Sequence, residues 1–396
     1  MAAIVMAALV LVSCSTAGTG TSTPTAPTTV TSAPSTLPSR TLPPDPPIEE
    51  PVTTLPPLGD PPPQLAPVES FLEWSTVVVA DSQTFGMFEV GFGAGSLVLG
   101  EERIVIRDGA VTLLPAEGDS GWIHQRVVVA GNFALLEWTR EPGPGYRIDR
   151  VDLETSAVDT WVEIGAEGGD PPWHYPDLTA AGDVFIAETN GTGETCLRPL
   201  DPGGSLGDPV LCNPGPKGDA FIIDVDDDVV SYVSRVADPA DGPACRQLLQ
   251  RRDDTTPIVH GVRECGLFMA AVDGTTLAWT EQPSGGFYDR APVYGEGPDA
   301  VVTGLGVGSA NSLVICDRRA YWKAPGPDGT SEIRSWTPGG SLDIIYRSIP
   351  GQSTGLPQCS GPYVMLVVWN HDDPSAPRQL LMAGPAQGIP HVVTLP

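Results

Sequence analysis

Three features of the sequence predict an all-β fold, a β-propeller of about seven four-stranded blades. Short β-rich runs alternate with Gly, Pro and Asp turns from Phe71 to the C-terminus. No stretch carries a helical period of apolar residues over a useful length. A strand, turn, strand unit then recurs, with turn positions Gly131, Gly182, Asp227, Asp273, Asp317 and Gly361 standing 51, 45, 46, 44 and 44 residues apart. That interval is too long for one hairpin. It suits a four-stranded sheet repeated radially, an arrangement that leaves only short edges open.

From the N-terminus, Met1 to Val12 is apolar and uncharged and runs into Leu11-Val12-Ser13-Cys14. Such a run is too short to cross a bilayer, which takes about 20 apolar residues, and matches a signal-peptide core. No Lys or Arg precedes it. The tetrapeptide resembles the lipobox of bacterial lipoproteins. The resemblance implies that residues 1–13 are cleaved as a signal peptide and that the Cys14 thiol carries palmitate-type acyl chains. It also implies that the chain is held at the extracytoplasmic face of the cell membrane.

Residues 14–67 are dominated by Thr, Ser and Pro, as in Thr21-Ser22-Thr23-Pro24 and Pro61-Pro62-Pro63. So little apolar surface cannot offset ordering entropy, so a disordered, partly polyproline-II tether is expected. Residues 68–396 then form the propeller domain. Blade two is the most legible, with strands expected over 123–130, 133–139, 146–153 and 158–164. The order repeats five more times, and a shorter, less regular copy lies between Phe85 and Leu114. Six or eight blades stay open, because Ser75 to Ala80 could close the ring against the C-terminal blade or begin blade one. The pattern resembles the TolB-like bacterial propellers, although no diagnostic dipeptide recurs.

The chain has 21 Lys and Arg against 49 Asp and Glu, a formal charge of −28. Nucleic acid and anionic membrane surfaces are therefore excluded as electrostatic partners. Besides Cys14 there are six cysteines, none in a Cys-x-x-Cys pair, as expected for disulfides in an exported protein. Cys196 and Cys212 flank a hairpin symmetrically about Gly204, and Cys245 and Cys265 do so about Thr255. Cys316 and Cys359 precede equivalent turns, so a bridge there would join neighbouring blades near the axis.

Trp138, Trp279, Trp322 and Trp369 recur at the end of the second strand. Packing between blades is favoured for them over a carbohydrate-binding ring. Asp224, Asp226 and Asp228 alternate onto one face of a strand and could offer oxygens to calcium, although Asp is also common in turns. No other cofactor is expected. Binding is expected on loops gathered at one end of the ring. These carry Trp173, His174 and Tyr175 between blades two and three, Phe287, Tyr288 and Arg290 within blade five, and His371 and Asp372 near the C-terminus.

None of the five histidines lies in a nucleophile-elbow, zinc-protease or phosphate-loop pattern. The function expected is a monomeric, membrane-anchored binding or scaffold module for an envelope protein or glycan. The alternative is an exported hydrolase or lyase acting on polysaccharide or peptide, with His174, His371 and Asp372 drawn from separate loops.

Overall fold

A computed structural model describes the chain from residue 64 to residue 395, apart from residues 81–89, 101–102, 115–121, 141–144, 165–172, 179–181, 190–194, 214–219, 227–228, 238–244, 253–257, 260–266, 282–287, 374, 386–388 and 390–391. Cys14, Asp228, Cys265 and Phe287 therefore lie outside the described residues, as does the tether up to residue 63.

The described residues form seven sheets. Sheet one holds Val90–Gly93, Ser96–Leu99, Ile104–Arg107 and Ala110–Leu113, and sheet two holds Trp122–Ala130, Phe133–Arg140, Tyr146–Asp152 and Val158–Ile164. Sheet three holds Trp173–Leu178, Val184–Thr189, Thr195–Leu200 and Leu211–Asn213, and sheet four holds Ala220–Asp226, Val229–Ala237, Cys245–Arg252 and Ile258–Val259. Sheet five is built from Leu267–Asp273, Thr276–Glu281, Ala291–Glu296 and Val302–Gly308, and sheet six from Val314–Cys316, Arg319–Pro325, Ser331–Trp336 and Leu342–Arg347. The recurring sequence unit accounts for sheets two to seven, and the shorter copy for sheet one.

Sheet seven is assembled from distant parts of the chain. Gln352–Thr354 and Gln358–Ser360 both pair with Tyr363–Asn370, which pairs in turn with Arg378–Ala383. The next strand is Ser75–Ala80, antiparallel to Arg378–Ala383, with Val393–Thr394 parallel on its far side. Of the two roles left open for Ser75–Ala80, it therefore takes the closing one. Around the axis, the first strand of each sheet touches the first strand of the next, and Gln358–Ser360 touches Val90–Gly93 to complete the circuit.

A strap leads into the closing strand. Leu65 N–H donates to Gly304 O (3.2 Å) on sheet five, and Val68–Glu69 pairs in parallel with the outer strand of sheet six. Ser70 and Leu72 N–H then donate to Ile344 and Ile345 O (3.1 and 3.2 Å), and Trp74 Nε1 donates to Ile345 O (3.1 Å). The backbone of this segment is satisfied as a strand edge requires.

Three of the four recurring tryptophans fill the wedges between sheets. Trp138, Trp279 and Trp322 are 3%, 1% and 0% exposed, and each packs on the preceding sheet, against Val98 and Val105, Leu248, and Leu305 respectively. Gly308 makes room for one of them, since a Cβ there would stand 2.4 Å from Trp322 Cδ1. Trp369 departs from the pattern: it is only partly buried, and it packs on the cluster that sheet seven shares with sheet one.

Cys196 and Cys212 are direct register partners and form a disulfide with Cα atoms 4.0 Å apart. Cys316 and Cys359 form a second, with Cα atoms 5.8 Å apart, joining the first strands of sheets six and seven. Cys245 lies in the third strand of sheet four, and its expected partner falls outside the described residues.

Candidate functional site

An antiparallel four-stranded meander has two unlike ends. Turns joining strands one to two and three to four lie at one end, here the turn end. Connections from strand two to three, and from sheet to sheet, lie at the other, the loop end. The three expected binding segments all belong to the loop end by this topology.

Trp173, His174 and Tyr175 are a correction, because they do not form a loop. They begin the first strand of sheet three, with Trp173 opposite Glu188 and His174 opposite Ala187. The Pro-flanked aromatics read as a connection, but the long second strand gives their backbone a partner. Tyr288–Arg290 is a single 3-10 turn just before the third strand of sheet five. Tyr288 is 57% exposed, with its ring edge-on to Phe268 (centroids 5.7 Å apart), and its carbonyl accepts from Ala310 N–H (2.6 Å).

His371 and Asp372 stand exposed after the second strand of sheet seven. Asn370 Oδ1 accepts from the Asp372 and Asp373 N–H groups (2.9 and 3.2 Å), and His371 N–H donates to Gly351 O (2.7 Å). Ser375 donates to Asp373 through its hydroxyl and its amide, which holds that carboxyl below its ordinary range. These are turn-stabilising bonds. Among the described residues, no hydrogen bond or ion pair joins the sheet-five segment to the sheet-seven segment.

Asp224 and Asp226 stand two residues apart in the first strand of sheet four, opposite Ser231 and Val229. No group of three His, Cys, Asp or Glu placed to hold a metal ion occurs among the described residues.

The turn end carries a feature that the sequence reading missed, a cleft of ≈ 440 Å³ where the innermost turns of sheets seven, one and two converge. It is lined by Phe92 to Gly95, by Val129 to Gly131 and by Ser360 to Tyr363. Ala94, Gly95, Gly131 and Gly361 have φ of 48°, 73°, 56° and 52°, the left-handed region a tight strand-joining turn demands. Phe92 and Tyr363 meet edge to face with centroids 4.8 Å apart. None of the lining residues bears a carboxylate, imidazole, amine or guanidinium. The signal for the cleft was the small residues at equivalent turns, which were read only as punctuation.

Two buried titratable groups that depart from their ordinary range lie in the seams between strands and sheets. Burial raises Glu137, and Tyr146 O–H donates to its Oε1 (3.0 Å). Burial also lowers Lys323, whose ammonium donates to Thr354 O on sheet seven. Each is a single group, and neither lines the cleft. The geometry at the turn end is thus that of a concavity lined by uncharged side chains, two of which, Ser360 and Tyr363, bear hydroxyls.

No protein-family model matches the sequence, and no curated protein does. Solved structures do match in shape. The β-propeller domain of the Trilobed protease from Pyrococcus furiosus, described as having an open velcro topology, aligns with a TM-score of 0.51 at 12% identity over 79% of this chain and 96% of its own. Acylaminoacyl peptidase from Pyrococcus horikoshii aligns with a TM-score of 0.52 at 11% identity over 76% of this chain and 52% of its own, so the present chain spans about half its length. At this identity the likeness concerns the fold alone, and it does not extend to the finer TolB-like resemblance. The chain is an all-β propeller similar in fold to the propellers of these peptidases.

Proposed function

We propose that this chain is a lipid-anchored, extracytoplasmic binding propeller of seven blades and TolB-like kind that captures a protein or glycan of the cell envelope. A diacylated Cys14 would supply the anchor, since two acyl chains at about 0.8 kcal/mol per buried methylene hold a protein stably at a membrane. The observation that supports binding is the turn-end cleft, which joins aromatic edges to the backbone polar groups of glycine-bearing turns and is lined by no charged group. A hydrolase or lyase would need a positioned acid and base beside such a cavity.

Filling the cleft tests the reading. Ala94 is partly exposed in the cleft wall but has a positive φ and packs against the seam of sheets one and two, so Ala94→Trp adds bulk at some cost in stability. Retention of purified envelope fractions, of murein sacculi and of membrane proteins separately, is expected to fall with Ala94→Trp at temperatures well below its own measured melting temperature. Undiminished retention would reject the cleft as the site. Turnover of an envelope polysaccharide or peptide, stopped by His371→Ala, would give the function to the enzyme reading. Cys14→Ala is expected to release the chain from membranes, and a wild-type chain without lipid by mass spectrometry would remove the anchor.

A further inference from the structure

At the loop end, the seam between sheets one and two holds a guanidinium that has no hydrogen-bond acceptor among the described residues. Register places His124, Trp138, Arg147 and Glu163 side by side across sheet two, one residue from each strand. Directly paired residues of neighbouring strands share a face. That face is turned toward sheet one. Trp138 packs on Val98 and Val105, and a Cβ on Gly100 would stand 2.3 Å from the His124 ring. Arg103, in the turn after Gly100, lays its guanidinium over the Trp138 ring with Cζ 4.3 Å from the centroid.

The remaining charges of the row are already engaged. Arg147 Nε donates to both oxygens of Asp149 (2.8 and 2.9 Å), its Nη2 to Thr160 (3.1 Å), and its Nη1 lies 3.6 Å from Glu163. Arg147 and Asp149 are 6% and 5% exposed. His124 is kept neutral, since burial pushes it down to about 3. Arg103 is half-buried, and among the described residues no oxygen accepts a hydrogen bond from its guanidinium. Its five N–H donors lie in the plane of the fork, and the contact with the indole face uses none of them as a hydrogen bond.

We propose that this seam is a second binding site, separate from the turn-end cleft, that takes the carboxylate of an acidic peptide segment on the edge of Arg103. A guanidinium held over an aromatic ring has lost part of its rotamer freedom, and its planar fork matches a carboxylate bidentately. The choice of a peptide over an acidic sugar follows from Trp138. Its ring is 3% exposed and already covered by Arg103, so no aromatic platform remains on which a sugar ring could stack.

The test is fluorescence anisotropy of dye-labelled hexaglutamate and hexaglutamine peptides on the purified full-length chain at low ionic strength. With a net charge of −28, long-range attraction cannot supply binding of the acidic peptide, so any binding reports a local contact. Hexaglutamate is expected to bind and hexaglutamine not to. Arg103→Gln should weaken binding about tenfold, the equivalent of one charge-assisted bond. Arg103→Lys, which keeps the charge and loses the fork, should fall between, and it carries the test if Arg103→Gln lowers the melting temperature. Arg318→Gln, at an exposed guanidinium of the turn end, should leave affinity within about twofold, as expected for a group outside the contact. Equal binding of the two peptides, or full affinity in both Arg103 variants, would overturn the site. Competition by oligoglucuronate as effective as unlabelled hexaglutamate would overturn the peptide assignment.

Discussion

Sheets two and seven bury similar sets of apolar side chains and are built in opposite ways. The four strands of sheet two come from one run of chain, Trp122 to Ile164, with each strand paired to its sequence neighbour. Sheet seven takes its fourth strand from the N-terminal side of the ring, so Val78 pairs with Leu380 across 302 residues, and a last strand from Val393–Thr394. Closing so long a loop costs entropy that local pairing does not, and the contacts at the seam must offset it. Sheet seven is accordingly the more heavily fastened. Its closing strand is held on both sides, the strap of residues 64–74 precedes it, and the Cys316–Cys359 bridge ties its first strand to sheet six. In this ring, covalent and backbone reinforcement is concentrated where the chain is least local.

The strongest way to break that contrast is a charge in the closing strand. Val77 and Val78 are 0% exposed. Val78→Asp would bury an unpaired carboxylate, a defect costing several kcal/mol, and is expected to open the ring. Hydrogen exchange should then lose protection in Ser75–Ala80 and Val90–Gly93 while sheet two keeps its slow amides. A uniform loss would mean that the ring melts as one unit, and a wild-type melt would mean that the strand is dispensable.

Next in size come the bridges. In the chain-entropy model, a loop of 43 residues is worth about 4 kcal/mol and one of 16 about 3. Replacing both Cys316 and Cys359 by Ser should therefore lower denaturant stability more than the same change at Cys196 and Cys212, which link strands already in register. The reverse order would show that the bridge inside sheet three matters more than the fastening of the closing sheet.

The same contrast decides what could be read from sequence. Each strand of sheet two lies within one residue of its expected bounds at either end, because Gly131 and the apolar runs beside it mark the pairing locally. The Cys196–Cys212 pair and three of the wedge tryptophans were legible for the same reason: symmetry about a turn, and equivalence between repeats. The partner of Ser75–Ala80 could not be chosen, since no nearby residue encodes a contact so far along the chain. Trp173 to Tyr175 were misplaced because Pro171 and Pro172 look like the middle of a connection. Arg103 drew no notice in the turn of an irregular repeat. Its meaning comes from Trp138, which belongs to the neighbouring sheet.

A smaller effect concerns pH at the seam of sheets one and two. His124 in the folded chain titrates near 3, with burial as the main cause, against about 6.5 when unfolded. The unfolded chain therefore takes up a proton that the folded chain refuses, and stability contributed by the neutral ring is lost as pH falls from about 6.5 toward 3. His124→Gln, neutral throughout, should narrow the difference in urea stability between pH 7 and pH 4. An unchanged difference would assign the acid sensitivity to other groups.

The smallest effect is expected where sheet seven's fastening looks most conspicuous. Arg347 Nη1 lies 2.8 Å from Glu69 Oε1, joining the strap to sheet six, with the two side chains 27% and 57% exposed. An ion pair so open to water is worth about 0.5 kcal/mol or less. Glu69→Gln also leaves no charge stranded, because Arg347 keeps Glu332, whose side chain is 3% exposed, at 2.8 Å. The strap retains its backbone bonds to Gly304, Ile344 and Ile345. Stability and its salt dependence should therefore change little in Glu69→Gln, and limited proteolysis should find the segment from Leu65 to Trp74 as resistant as in the wild type. Rapid cleavage there would show that a side-chain clasp, and not the parallel strand, holds the strap to sheet six, and it would move the weak point of the ring from the closing strand to the segment that leads into it.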